Sequence, residues 1–294
     1  MSGPPRLFDK RLIATRARRA LAAGPEDFLF RAVADDLLDR LAAVNRAFGS
    51  AIDASPLPHM TDAIRDRGTA ADIFRLAGVV DTRPDAVGDP EAFPFRAASL
   101  DLVVSALALH LVDDLPGTFA QIRRALRPDG LFLAALPGGD TLTELREALA
   151  AAEEETTGGA SPRVVPFVEV RTAGALLQRA GFALPVVDRD RRTVRYPSAL
   201  HLMRDLRAMG AANPLAERSR NPMTRRMLER TIAIYAERFS DPDGRVRATF
   251  EIVSLSGWAP HESQQQPLKP GSAKARLADA LSATEKSAGE KAGN

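Results

Sequence analysis

The chain has 294 residues, enough for one large domain or two modest ones, and 45% of them are hydrophobic, enough for a substantial core. Its 40 Lys and Arg oppose 38 Asp and Glu for a net charge of +2, so nothing resembles the concentrated basic stripe of a nucleic-acid binder. The absence of cysteine excludes disulfides, thiolate metal sites and cysteine nucleophiles, and no apolar run is long enough to predict a membrane span.

The N-terminus is rich in arginine and poor in acids, a texture shared by organelle transit peptides and amphipathic helices. The helix is preferred, with Leu12, Ile13 and Leu21 inward, because the pattern runs on. Phe28, Leu29, Ala32, Val33, Leu37, Leu38 and Leu41 continue it at helical spacing, so residues 9–44 are predicted helical. The run from Phe48 to Asp53 then predicts a strand that stops at an acid. A helix over Pro58–Arg67 and a brief strand around Thr69–Ile73 follow, and prolines 84, 90 and 94 mark residues 78–98 as loop.

The segment from Ser99 to Leu107 is almost entirely apolar and rich in β-branched residues, as in a strand buried on both faces. A helix over Asp114–Leu126, a turn at Arg127–Gly130 and a second buried strand over Leu131–Leu136 complete a βαβ unit. Parallel strands of this kind imply an α/β, Rossmann-like sheet with helices on both faces. Thr141 and Glu144 have capping-box spacing at the head of a helix running to about Glu155. Beyond a loop at Gly158–Pro166, the pattern predicts a helix over Thr172–Ala180 and a strand over Leu184–Tyr196. Helices over Ala199–Met209 and Met223–Phe239, a turn at Asp241–Gly244 and a strand over residues 246–258 follow. Composition then turns polar and small, and a mobile tail is predicted from Ser263. The expected organisation is an N-terminal helical segment over 1–45, a main domain over 46–262 with a helical insertion near 198–240, and a tail over 263–294.

In an open parallel sheet, ligands settle outside the carboxyl ends of the strands. The residues predicted there are Asp53, Ser55 and His59 after the first strand, and Asp72 and Asp89 after the next two. Ser105, His110 and Asp113 follow the fourth, and Gly138, Gly139 and Asp140 the fifth. Asp72 and Asp89 suit the ribose hydroxyls and adenine amine of a nucleoside, or equally the capping of loops. His110 is a candidate base, orienting donor or stacking surface, or a structural histidine. No Gly-x-Ser-x-Gly elbow, phosphate-binding Gly-Lys-Ser/Thr loop or two-histidine, one-carboxylate iron site is present. That leaves chemistry in which a cofactor supplies the reactivity.

Phe93-Pro-Phe, Asp101-Leu-Val-Val-Ser-Ala-Leu, Leu109-His110 and Leu126-Arg-Pro-Asp-Gly-Leu-Phe resemble the type 11 methyltransferase domain, a class I S-adenosyl-L-methionine fold. Gly138-Gly-Asp-Thr-Leu-Thr-Glu-Leu-Arg, Gly158-Gly-Ala-Ser-Pro, Arg179-Ala-Gly-Phe and Trp258-Ala-Pro-His-Glu-Ser resemble one branch of it, mitochondrial complex I assembly factor 5 and its bacterial relatives. The resemblance implies a seven-stranded sheet closing on an antiparallel hairpin, S-adenosyl-L-methionine as cofactor and a methyltransferase-type enzyme. It also implies a protein substrate, a subunit of NADH–quinone oxidoreductase, modified at an arginine in the mitochondrial branch. Asp53, Ser55, Leu57, Asp72, Asp89 and Ser105 would line the cofactor, with His110 and Asp140 facing the substrate and no metal. The implied location is cytoplasmic, with peripheral contact at the inner membrane, or the mitochondrial matrix in a eukaryote.

One stretch departs from the family. Where its Asp-x-Gly-x-Gly-x-Gly loop belongs, this chain has Asp53-Ala-Ser55-Pro-Leu57-Pro-His59. Side chains at three glycine positions, and two prolines without N–H groups, should crowd a cofactor's approach to the backbone. An alternative reading is therefore a non-catalytic methyltransferase fold acting as an assembly chaperone. A third, a methyltransferase for an acyl-carrier substrate, fits the domain but not the Trp258–Ser263 region.

Overall fold

The computed structural model describes residues 6–78, 84–159 and 161–265. Two helices lead in. α1 (Lys10–Ala23) starts at Asp9, whose carboxylate accepts the Leu12 N–H at 3.0 Å. α2 (Phe28–Ala42) buries Phe30, Val33, Leu37, Leu38 and Leu41, the one-sided stripe that helical periodicity produces.

Seven strands form one sheet: β1 (Phe48–Asp53), β2 (Ala70–Ala77), β3 (Ala86–Val87), β4 (Leu100–Ala106), β5 (Leu126–Pro137), β6 (Ala183–Tyr196) and β7 (Val246–Trp258). Their order is β3-β2-β1-β4-β5-β7-β6. All neighbours through β5 are parallel, and β7 lies antiparallel between β5 and β6. The seven strands and closing hairpin are as the resemblance implied. The remaining helices are α3 (His59–Asp66), α4 (Leu115–Ala125), α5 (Thr143–Thr157), α6 (Val170–Arg179), α7 (Ala199–Ala208) and α8 (Arg225–Phe239).

Alternation along the strands separates two cores. Val103, Phe132 and Leu136 pack with Phe119, Ile122 and Leu177 under α4 and α6. Leu102, Val104, Leu131 and Leu133 pack with α2 and with Met60 and Ile64 of α3. Because both faces are covered, the central residues Leu102–Val104 of β4 and Leu131–Leu136 of β5 are apolar at every position, which made these the clearest strands in the sequence. α5, α7 and α8 form a third layer against β6 and β7, centred on Leu202, Ile234, Tyr235 and Phe250. The described residues up to Pro260 form one compact unit. The described residues beyond it, 261–265, hold a turn in which the Gln264 N–H reaches the His261 carbonyl at 3.1 Å.

The structure corrects three local expectations. β2 does not stop near Ile73 but runs to Ala77. The turn expected at Arg127–Gly130 is drawn into β5, where the register against β4 shifts between Leu100 and Leu102 and Asp129 takes a φ of 62°. The capping box at Thr141–Glu144 does not form. The residue before α5, Leu142, has a left-handed backbone at φ 56° and no side-chain cap. Thr141 instead exchanges hydrogen bonds with the Glu251 backbone at 2.9 and 3.1 Å, and Glu144 accepts the Thr249 N–H and hydroxyl at 3.0 and 2.5 Å. Tertiary bonds to β7 use the groups that a local cap would need. The predicted mobile tail lies, from residue 266, outside the described residues.

Candidate functional site

The parallel strands bring β1, β2, β4 and β5 to a common carboxyl edge. At the end of β1, Asp53 is fully buried and accepts the Ser55 N–H at 2.9 Å and the Thr61 hydroxyl at 2.6 Å. Burial pushes its carboxyl up to about 6 against the pull of these donors and of Arg75. The link from β1 to α3 is stitched to β4. The Ala54 N–H reaches the Val104 carbonyl at 2.8 Å, Ser55 Oγ accepts the Ala106 N–H at 2.8 Å, and Ser105 Oγ donates to the Ala54 carbonyl at 3.1 Å. Leu57 is half-buried against the α2-side core. Ser55 and Ser105 are thus spent on the backbone.

Sequence reasoning missed Arg75. It lies on β2 in register with Asp53, is 2% exposed, and donates to the Pro56 carbonyl at 3.3 Å while its own N–H binds Asp85 at 2.7 Å. Desolvation lowers its affinity for a proton, and Asp53, Asp85 and Asp62 oppose that. The available signal was a lone cation near the end of an apolar strand.

The other predicted residues separate. Asp72 is exposed on β2, paired in register with Ser50, and the structure does not bring it to the carboxyl edge. Asp89 accepts the Glu91 N–H at 3.0 Å, capping the short 3-10 turn Pro90–Ala92, and lies 3.7 Å from Lys10. Asp113 accepts the Leu7 and Phe8 N–H groups at 2.9 and 2.8 Å, tethering the segment ahead of α1. His59 pairs with Asp35 at 2.8 Å.

Beyond β5 a different arrangement appears. Three carboxylates from distant parts of the chain gather beside Gly138 and Gly139: Asp140, Glu169 just ahead of α6, and Glu251 on β7. A Cβ on Gly138 would stand 2.3 Å from Glu251 Oε1, and one on Gly139 would stand 2.2 Å from Glu169 Oε1, so glycine is what lets the acids close over the backbone. Glu251 is 3% exposed. Burial first, then the nearby Asp140 and Glu169, raise its carboxyl above the ordinary range, with Arg189 opposing. Arg191 lies 3.8 Å from the half-exposed Asp140. Among the described residues no group of three or more His, Cys, Asp or Glu is disposed to hold a metal ion.

His110 follows β4 in the 3-10 turn Leu109–Leu111, its ring centroid 6.1 Å from that of Phe167. Its Nδ1 is buried without a hydrogen-bond partner, and burial lowers its pKa from 6.5 to about 4. It is a neutral ring at neutral pH. A histidine held below its unfolded value contributes stability that is present at neutral pH and lost as pH falls from 6.5 to about 4. His110→Phe should flatten this slope, a difference of at most about 3 kcal/mol across the window. Urea titrations of both proteins at several pH values measure it, and parallel slopes would mean that the ring titrates normally.

Comparison with known proteins bears on this edge. The "Methyltransferase domain" family model matches residues 39–134. "Arginine-hydroxylase NDUFAF5, mitochondrial" of Danio rerio is 38% identical over 273 residues, covering 90% of this chain and 85% of that one. "Malonyl-[acyl-carrier protein] O-methyltransferase" of Methylovorus sp. is 33% identical over 286 residues, covering 88% and 92%. Among solved structures, the YcgJ protein of Bacillus subtilis superposes with a TM-score of 0.52 at 13% identity, over 76% of this chain and 98% of that one, a likeness of fold.

Proposed function

The chain belongs to the class I methyltransferase family, in the branch that includes the NDUFAF5 arginine-hydroxylases, and from that premise we propose that it serves the assembly of NADH–quinone oxidoreductase by gripping an arginine side chain of a subunit. The observation that carries this reading is the gathering of Asp140, Glu169 and Glu251 around Gly138 and Gly139. A guanidinium offers five N–H donors in a planar fork and needs several acceptor oxygens at once. Asp140 and Glu169 at the rim, with Glu251 buried behind them, provide them, and partial burial strengthens the attraction. His110 and Phe167 lie at the end of the neighbouring strand, where an apolar ring surface can receive the side chain's stem or plane.

The cofactor of this family is S-adenosyl-L-methionine. In this reading Asp140 and His110 face the substrate, but the loop after β1 does not fit the cofactor in the family's manner. Ser55 stands at a glycine position, Arg75 donates to the carbonyl of the adjoining Pro56, and both are at most 2% exposed. That closure favours a second reading, a methyltransferase fold that captures its partner without modifying it. Among the described residues no helix is long and apolar enough to cross a membrane.

The test is retention of native partners on the full-length chain. Tagged wild-type protein recovered from its host should carry subunits of NADH–quinone oxidoreductase. The pair Asp140→Asn and Glu251→Gln should retain at least tenfold less at an unchanged unfolding temperature. Recovery without those subunits, or equal retention by the variant, would contradict the reading. Mass spectrometry of arginines in the captured subunits separates the two versions: a modification lost on gene deletion supports the enzyme, and unchanged masses support the capture module.

A further inference from the structure

Arg75 has no part in the arginine-gripping reading, yet it is among the most buried charges in the molecule. It sits at the place where doubly wound sheets receive a nucleoside, beside the end of the first strand. In such sheets an acid about 20 residues beyond the first-strand loop accepts the ribose hydroxyls. Arg75 stands at that separation from Asp53 and has the opposite chemistry, since a guanidinium only donates. It also carries the same sign of charge as the sulfonium of S-adenosyl-L-methionine. It is paired with Asp53 across the two strands, donates to the Pro56 carbonyl in the loop that lacks glycines, and binds Asp85 through its own N–H.

We propose that Arg75 is a built-in occupant of the nucleoside position, which holds the β1–β2 end closed and makes the chain a weak binder of its family's cofactor. The proposal concerns cofactor access alone and stands or falls separately from partner capture at Asp140 and Glu251. Two features of the geometry support it. The Ala54 N–H is bonded to the Val104 carbonyl and the Ser55 N–H to the Asp53 carboxylate, so neither is open to a ligand. Asp53, the acid that ends the first strand, is turned inward to Ser55 and Thr61 and lies in the field of Arg75.

The test is calorimetric titration of the full chain with S-adenosylhomocysteine, a neutral probe of the nucleoside site. Arg75→Ala should bind it at least tenfold more tightly than wild type, and Arg75→Lys should behave as wild type. Arg75→Ala leaves Asp53 buried beside no cation, so its fold is checked by circular dichroism. If it does not fold, the neutral pair Asp53→Asn with Arg75→Met is titrated instead and read the same way. Equal affinity for wild type and the opened variant, or no binding by either, overturns the proposal.

Discussion

Replacing Phe132 with alanine should lower the unfolding free energy by about 4 kcal/mol, the middle of the range for deleting a fully buried aromatic ring. Phe132 is 0% exposed at the centre of β5, and its ring meets Phe119 edge-on at 5.5 Å and stacks on Phe182 at 5.4 Å. These rings join α4, the sheet and the link between α6 and β6, so little can collapse into the cavity. Urea denaturation checks this through a lower midpoint at unchanged slope. A loss below about 1.5 kcal/mol would mean that β5 does not lie in the middle of the sheet.

Gly138→Ala should cost about 2 kcal/mol and abolish partner retention together. The added methyl would stand 2.3 Å from Glu251 Oε1 and 2.8 Å from Val253 Cγ2, both on the buried strand β7, so the carboxylate must move and the strand must shift. Gly139→Ala is the internal comparison. The three atoms nearest its methyl all belong to the end of Glu169, an exposed side chain that can swing into solvent, so stability should change by no more than about 0.5 kcal/mol. Equal destabilisation of the two variants would show that the tight approach of backbone to Glu251 is not what glycine serves at position 138.

How much of this was legible in the sequence depended on how local the cause was. β4 and β5 were plain because burial on both faces demands an uninterrupted apolar run, and β6 and α8 because amphipathic periods repeat over many residues. The end of β2 was misjudged because Arg75 interrupts its apolar texture. That error left Asp72 as the edge acid while the residue at the edge is a cation. The capping box failed for a nonlocal reason: Thr141 and Glu144 bond to residues 110 and 105 positions away. The same distance hid the acid cluster. Gly138, Gly139 and Asp140 were visible as a loop at a strand end, but Glu251 reaches them only because β7 runs antiparallel beside β5. The loss of glycines after Asp53 was legible as crowding. The hydrogen bond that Ser55 accepts from the Ala106 N–H of β4 shows where one of the crowding side chains goes.

The most direct measurement is the amount of assembled NADH–quinone oxidoreductase in host membranes after deletion of the gene, by native electrophoresis with in-gel activity staining. The assembled complex should fall strongly and return with the wild-type chain, but not with the Asp140→Asn, Glu251→Gln variant. Full assembly in the deletion strain, with every subunit mass unchanged, would contradict the account.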